Sequence, residues 1–383
     1  MGPDLQRPSP RCCHRPHPKD ILSLPIGDFQ RAKMLQWLLT ALTIFVASAL
    51  VVSFAVTRDG KVITPVGEGT ITIGNKTFEA FPLPDYAAAF INDEYKSYLV
   101  EVESGIKVHI LEVGTGYPIY MQHGNPTSGF LYRKVAEHLP TDRFRIIMPT
   151  MVGLGFSSKV PVADHTVENH NRWLNTALSE LALDKLIYVG QDWGGIIGVG
   201  ALSLSPELIE GIVIMNTAIY APTEKMQLSR LHDLVRTPIV GELLIEVLSS
   251  SFNGMDRVQG DPKSIEQPVK DLYGRPVLES GNQKAPLALM RMVPHSPDHP
   301  STESMAKLVT FVRGLDVPTE IVWGMNDPII GRALPAMQAH FPNARVTQTD
   351  AGHFLQEEVP DVIAAALMRV YDELQALQAP IEN

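Results

Sequence analysis

Two kinds of apolar pattern divide this chain. Residues 37–56, WLLTALTIFVASALVVSFAV, run twenty positions without a charge. A helix of that length spans about 30 Å, close to one hydrocarbon core. From Tyr98 onward, short apolar runs alternate with longer amphipathic ones. The runs 106–113, 119–122, 145–149, 186–190, 211–215, 320–323 and 344–349 read as strands. Segments 131–139, 167–183, 193–205, 305–313 and 359–377 read as helices between them. Strands separated by helices imply right-handed βαβ units, hence an α/β fold with a doubly wound, mostly parallel sheet.

Between Ala218 and about Pro300 the alternation breaks into helix-like pieces bounded by Pro238, Pro262, Pro268 and Pro286. An unstructured loop of that length is rare inside a compact domain, so 218–300 reads as an inserted helical cap on a core of 98–217 and 301–379. Residues 57–97 read as an extended arm. Residues 1–34, rich in Pro and Arg, read as disordered.

The apolar run makes 35–56 a transmembrane anchor or a signal sequence. Arg7, Arg11, Arg15, Lys19, Arg31 and Lys33 precede it, against Arg58, Lys61 and Lys76 after it. That asymmetry places the N-terminus in the cytoplasm and the remainder on the extracytoplasmic side. Ser53-Phe54-Ala55 also offers a small-x-small cleavage site, so a cleaved signal peptide and export is the second reading. Translation from Met34 would remove the Pro/Arg-rich prefix altogether.

Composition then closes several alternatives. The net charge of −10 over 383 residues offers no basic field for a nucleic-acid partner. The only cysteines, Cys12 and Cys13, sit near the N-terminus, which excludes disulfide scaffolds and cysteine metal sites. His165, Glu168 and His170 do not match zinc-enzyme spacing, and Gly153-Leu154-Gly155 lacks the third glycine of a dinucleotide fingerprint. No metal or cofactor is expected. The partner expected is a small hydrophobic substrate, with assembly into a homo-oligomer left open.

The chemistry centres on Val189-Gly190-Gln191-Asp192-Trp193-Gly194-Gly195, which follows a strand and opens a helix rich in small residues. This is the context of the G-x-nucleophile-x-G elbow, where a tight turn lifts one side chain above the sheet. The usual serine is replaced by Asp192. Serine attack on a saturated carbon would leave an ether that water cannot readily cleave. A carboxylate leaves an alkyl ester, which water can open to regenerate the enzyme. Substrates must therefore present an sp³ carbon bearing a leaving group, with halides and epoxides the natural candidates.

Gln122-His123-Gly124-Asn125-Pro126-Thr127-Ser128 follows an earlier strand, where this fold supplies an oxyanion-hole amide. The backbone amides of Asn125 and Trp193 are assigned to the tetrahedral intermediate of ester hydrolysis. Their side chains add two neutral N–H donors suited to a departing halide. His353, in Asp350-Ala351-Gly352-His353, is the candidate base, and Asp327, in the Asn326-Asp327-Pro328 turn, the acid that orients it. The chain order Asp192, Asp327, His353 follows the nucleophile–acid–base order of the fold. An alternative acid position at the end of the 211–215 strand holds Asn216, which cannot carry the charge.

At these residues the chain resembles the haloalkane dehalogenases, over about 98–377. The pairing of Q-H-G-N-P-T-S with G-Q-D-W-G-G carries the likeness, and Asn125 with an acid at Asp327 looks most like their third subfamily. The resemblance implies an α/β-hydrolase fold and cofactor-free conversion of a haloalkane to alcohol, halide and proton. It gives Asp192 as nucleophile, His353 as base, Asp327 as acid and Asn125 with Trp193 as the halide-stabilising pair. One departure is that Pro149 is followed by Thr150 and Met151, where relatives commonly carry an acidic residue.

An epoxide hydrolase is the rival reading. It would use the same Asp192, Asp327 and His353, with cap tyrosines, Tyr220 or Tyr273, protonating the opening oxide. A coelenterazine-type monooxygenase is a further alternative, weakened because such relatives place the acid where Asn216 sits. Substrate choice is expected to rest on cap residues such as Leu234, Leu243, Leu287 and Met290.

Overall fold

The computed structural model describes residues 28–57 and 60–379, and the chain divides into two units, Met1–Ala55 and Val56–Asn383. Residues 28–34, expected to be disordered with the rest of the prefix, instead open helix Asp28–Thr57, because the apolar run that follows lets the helix extend back over them; residues 1–27, with Cys12 and Cys13, lie outside the described residues. Of the first unit, helix Asp28–Thr57 is described. Its stretch Gln30–Ala49 is long and apolar enough to cross a membrane, and none of it is buried in protein. Within that stretch Thr40 and Thr43 donate to the carbonyls of Gln36 and Leu39 at 2.9 and 2.8 Å. Each hydroxyl is thereby satisfied without water, as an apolar environment requires.

The second unit is built on one sheet. Its strands are β1 (Thr70–Ile73), β2 (Lys76–Ala80), β3 (Lys96–Glu103), β4 (Ile106–Gly114), β5 (Tyr117–Gln122), β6 (Phe144–Pro149), β7 (Leu186–Gln191), β8 (Ile209–Met215), β9 (Thr319–Gly324) and β10 (Arg345–Thr349). They lie in the order β1-β2-β3-β4-β6-β5-β7-β8-β9-β10. Pairing is antiparallel from β1 through β4 to β6 and parallel from β6 to β10. β7 is buried along its whole length and its neighbours over most of theirs, because helices cover both faces, which is why they read as apolar runs. The segment read as an arm instead carries β1 and β2, which extend the sheet beyond β3.

Helix formation follows local rules. In Val167–Glu180 the buried Val167, His170, Trp173, Leu174, Ala177 and Leu178 recur at three- and four-residue spacing. The Thr166 side chain caps this helix by accepting from the Asn169 amide at 3.1 Å. Helix Trp193–Leu202 is buried on every side, and its small residues let it approach the sheet closely. A methyl group at Gly194 would collide with the carbonyl of Gln122. The Tyr188 hydroxyl donates to the Gly194 carbonyl at 2.7 Å and fixes that approach. Registers Gln122↔Gly190, Gln191↔Met215 and Met215↔Val322 bring the carboxyl ends of β5, β7, β8 and β9 to one edge, where ligands bind in open parallel sheets.

The stretch between β8 and β9 holds helices Arg230–Arg236, Gln267–Leu278, Ala285–Arg291 and Thr302–Arg313, among shorter turns. A buried ion pair ties it to the core. Arg133 grips both carboxylate oxygens of Glu357, at 2.6 and 2.9 Å, and the Tyr273 hydroxyl donates to the same carboxylate at 2.6 Å. Replacing Arg133 with Met should lower unfolding free energy by about 3 kcal/mol, because Glu357 is left buried with incomplete pairing. Chemical denaturation would check this, and pairing Arg133→Met with Glu357→Leu should recover most of the loss.

Candidate active site

Asp192 sits where β7 ends and helix Trp193–Leu202 begins, with φ +53° and ψ −126°. A non-glycine residue at such angles is strained and is held there by its surroundings. Its amide donates to the Asn216 carbonyl at 2.9 Å, and its own carbonyl accepts from the Thr217 hydroxyl at 2.7 Å. The turn is thereby locked to the end of β8, and the side chain stands above the sheet edge.

The two carboxylate oxygens of Asp192 meet different surroundings. Oδ1 accepts from the backbone N–H of Asn125 at 2.8 Å, and the backbone N–H of Trp193 also hydrogen-bonds the carboxylate. Oδ2 lies 3.8 Å from Nε2 of His353. Oδ1 is thus held by the Asn125 amide while Oδ2 faces the imidazole. Burial raises the Asp192 pKa above the usual carboxylate value, opposed by the charge of His353 and by the two amides.

His353 is held on its other side. Its Nδ1 donates to Oδ2 of Asp327 at 2.9 Å, which leaves Nε2, 3.4 Å from the Gln191 side-chain amide, as the basic nitrogen toward Asp192. Burial alone would lower the His353 pKa, but the charges of Asp327 and Asp192 outweigh it and the net shift is upward. Asp327 is displaced the other way. Burial works against its charge, yet His353, the Asn216 amide and the Ile329 N–H bring its pKa below the usual value. Its Oδ1 accepts from the amides of Ile329 and Ile330 at 2.7 and 3.2 Å.

Asn216 holds a part the sequence did not suggest. It was set aside as an acid site without a charge, but its Nδ2 donates to Asp327 Oδ2 at 2.8 Å and to the Gly324 carbonyl at 3.0 Å. Its Oδ1 accepts from the Gly324 amide at 2.7 Å. One side chain therefore staples the end of β8 to the end of β9 and aims the carboxylate at His353. Its place after β8 was the available signal.

His123 is a second such residue. Its Nδ1 bonds the Gly124 carbonyl at 2.7 Å and its Nε2 accepts from the Met151 amide at 2.9 Å. Burial brings its pKa down to about 4, opposed by the Gly124 bond, so the ring is neutral and rigidly placed. It fixes the turn that presents the Asn125 amide. Gly124 is required there, because any side chain would strike the Asp192 carboxylate. Thr150, where relatives commonly carry an acid, accepts from the Gly129 amide at 3.1 Å and steadies the same loop.

A pocket of about 760 Å³ opens above these groups, lined by Asn125, Asp192, Trp193 and His353 and otherwise mostly by apolar side chains. The Asn125 side-chain amide, expected to point at a departing halide, donates instead to the Pro286 carbonyl at 3.0 Å. Of the residues expected to shape the pocket, Met290 lines it. Leu287 is buried in a small separate cluster with Val235 and Ile245, and Leu234 and Leu243 are 47% and 42% exposed. Helical position alone does not give direction, and here those two turn outward. His165 and His170 stack on each other, Nδ1 to Nε2 at 3.0 Å, and no metal-holding cluster occurs among the described residues.

A strained carboxylate elbow on a mixed, largely parallel sheet defines an α/β hydrolase, and residues 117–238 match the family described as the alpha/beta hydrolase fold. Within that fold the chain is similar to haloalkane dehalogenases. It is 28% identical to haloalkane dehalogenase 2 of Mycobacterium tuberculosis, over 68% of this chain and 90% of that protein. Against a cis-3-alkyl-4-alkyloxetan-2-one decarboxylase of Shewanella oneidensis the identity is 26%, over 73% and 89%. The solved haloalkane dehalogenase DatA of Agrobacterium tumefaciens superposes with a TM-score of 0.65 at 25% identity, covering 75% of this chain and 99% of that one.

The electrostatics predict a direction for pH dependence. Acting as a general base, His353 would have to be neutral at Nε2 to accept a proton, and Asp327 raises its pKa, so activity should then fall as pH drops through a value above the ordinary histidine range. Asp327→Asn removes that charge and should move the acid limb of steady-state turnover to lower pH while lowering its plateau. A pH–rate profile measures both, and an unmoved limb would refute the assignment.

Proposed function

We infer that the protein hydrolyses carbon–halogen bonds through an aspartyl-alkyl ester on Asp192. The observation that carries the reading is the unequal environment of the two Asp192 oxygens. Oδ2 displaces halide from saturated carbon, forming a C–O bond as the carbon–halogen bond breaks. Oδ1, already against the Asn125 amide, becomes the carbonyl oxygen of the ester. Water, deprotonated by His353 Nε2, then attacks the carboxyl carbon, and the two amides stabilise the negative charge on Oδ1. Asp327 holds the resulting imidazolium, which passes its proton to the departing alkoxide as the intermediate collapses, releasing alcohol; the Asp192 carboxylic acid so formed loses its proton to solvent.

The departing halide is received by the Trp193 indole and by the Asn125 side chain, once that amide leaves the Pro286 carbonyl. The segment 218–300 acts as the cap over the pocket, and Asp192, Asp327 and His353 form the triad. The N-terminal apolar helix anchors the enzyme, with the hydrolase unit extracytoplasmic. The family kinship and the pocket's apolar lining both favour a lipophilic halide.

The epoxide reading loses its acid. Tyr273 is fully buried against Glu357 and does not line the pocket, and the Tyr220 hydroxyl donates to the Pro294 carbonyl at 2.8 Å. A four-membered lactone is the second substrate class to test. It also offers a saturated carbon with an oxygen leaving group, and with the Asn125 amide turned to Pro286 no dedicated halide pair is assembled.

Bromide release from 1,2-dibromoethane is the direct assay. Asp192→Ala should abolish it, by roughly 10⁴-fold or more. His353→Ala should release about one bromide per enzyme and then stall, with the alkyl ester visible on Asp192 by mass spectrometry. Carbon dioxide from a dialkyl oxetan-2-one without bromide from any haloalkane would transfer the assignment to the lactone class.

A further inference from the structure

Gln191 immediately precedes the nucleophile, yet its side chain does not line the pocket. It closes β7, fully buried, and extends to the loop that carries the base. Its Nε2 donates to the His353 carbonyl at 3.0 Å and lies 3.4 Å from His353 Nε2, closer to that nitrogen than Asp192 Oδ2 at 3.8 Å. The carbonyl fixes which way the amide points. Reversed, the amide would set Oε1 against another acceptor at the same short distance. As it stands, Oε1 is buried with no partner among the described residues. A buried acceptor left unpaired is destabilising, so the contacts of the Nε2 end outweigh that loss and dictate the orientation.

His353 is gripped at its backbone as well as its ring. Its amide donates to the Val258 carbonyl at 2.8 Å, its carbonyl accepts from Gln191, and its Nδ1 donates to Asp327 at 2.9 Å. Val258 lies in the stretch between β8 and β9 and Gln191 at the end of β7, so the base loop is held from both sides. The ionisable groups acting on the ring are Asp327, beyond β9, and Asp192, beyond β7, and the Phe354 ring packs edge-on against it. Both carboxylates favour the imidazolium. Gln191 works in the opposite sense because its near end is a donor. A neutral Nε2 offers that N–H a lone pair, whereas a protonated Nε2 sets N–H against N–H.

We propose that Gln191 is a positioning residue for the base: it clamps the His353 backbone to the end of β7 and, by turning an N–H toward Nε2, favours the neutral, proton-accepting ring over the imidazolium. The proposal rests on the dehalogenase reading for the step that His353 serves, and deepens it by naming what holds a base neutral between two carboxylates. Because Gln191 stays out of the pocket, its influence falls on hydrolysis of the ester more than on its formation.

The test uses the full chain in nanodiscs with two substitutions. Gln191→Met keeps the length and removes the donor; Gln191→Glu keeps the shape and, when ionised, offers only acceptors. The His353 imidazole is titrated by ¹⁵N NMR, its signal assigned through its loss in His353→Gln. Decay of the alkyl ester formed from 1,2-dibromoethane is followed in single turnover by quenching and mass spectrometry across pH. Gln191→Met should raise the His353 midpoint by about half to one pH unit, the worth of one hydrogen bond, and Gln191→Glu should raise it further. The acid limb of ester decay should move up in the same order. Just above the parent's limb, decay should slow by about 3- to 10-fold in Gln191→Met, with the bromide burst slowed less. A role in mechanical support alone predicts a lower plateau with midpoint and limb unmoved, and that result overturns the proposal. So does a midpoint that falls in Gln191→Met. If the parent enzyme releases no bromide, the dehalogenase reading falls, and the NMR midpoints still decide the part played by Gln191.

Discussion

Keeping one carboxylate charged inside an apolar pocket is the demand to which the site is fitted. In the proposed mechanism Asp192 must be ionised to attack, yet burial favours its neutral form. Removing a charge from water costs several kcal/mol unless hydrogen bonds or counter-charges replace the lost solvation. Here backbone amides do so, and each requires structure behind it. The Trp193 amide is available because the chain turns through a strained angle at Asp192. The Asn125 amide is available because His123 pins its loop and Gly124 carries no side chain. These groups also occupy the position at which negative charge would appear during ester hydrolysis, so the donors that keep the resting nucleophile ionised are already oriented for the later step.

The two acids share one histidine, and their difference in environment separates their roles. Asp327 has Asn216, two backbone amides and the imidazole around it, which hold it ionised and fixed. Asp192 has fewer donors and stands over the pocket. Alkylation of Asp192 would remove its negative charge and with it one of the influences raising the His353 pKa. The base is then more easily neutral in the ester than in the free enzyme. In the proposed mechanism the covalent step would thereby prepare His353 for the step that follows, without any movement of the chain.

Much of this was legible because it depends on local pattern. The parallel strands β5 to β9 are buried on both faces, so their apolar runs stand out, and the turn after each carries Gly, Asn or Asp in recognisable order. The strands β1 to β3 were less visible. β1 and β2 are short and largely half exposed at the sheet margin, and in TITI and KTFEA the alternation is too brief to distinguish from an extended arm, while β3 opens on the polar Lys96 and Ser97. Asn216 and His123 escaped for another reason. Both act through hydrogen bonds to backbone groups distant in sequence, and residue type alone does not announce such partners. The outward turn of Leu234 and Leu243 depends on how the inserted helices seat, which no periodicity in a seven-residue helix can fix.

The pocket also constrains the leaving group by what it lacks near the nucleophile. An epoxide opened by Asp192 leaves an alkoxide, which needs a proton as the C–O bond breaks. Tyr273 is committed to Glu357, and burial pushes the Tyr220 hydroxyl up to about 12 while it donates to a carbonyl. A halide departs as a stable anion and needs only a weakly polar receptor, which the Trp193 indole can supply. The carboxylate released from an opened lactone is likewise stable without a proton. The tyrosine environment therefore divides the candidate substrates by the basicity of what departs. It places halides and lactones on one side and epoxides on the other, in accord with a kinship that includes both a haloalkane dehalogenase and an oxetanone decarboxylase.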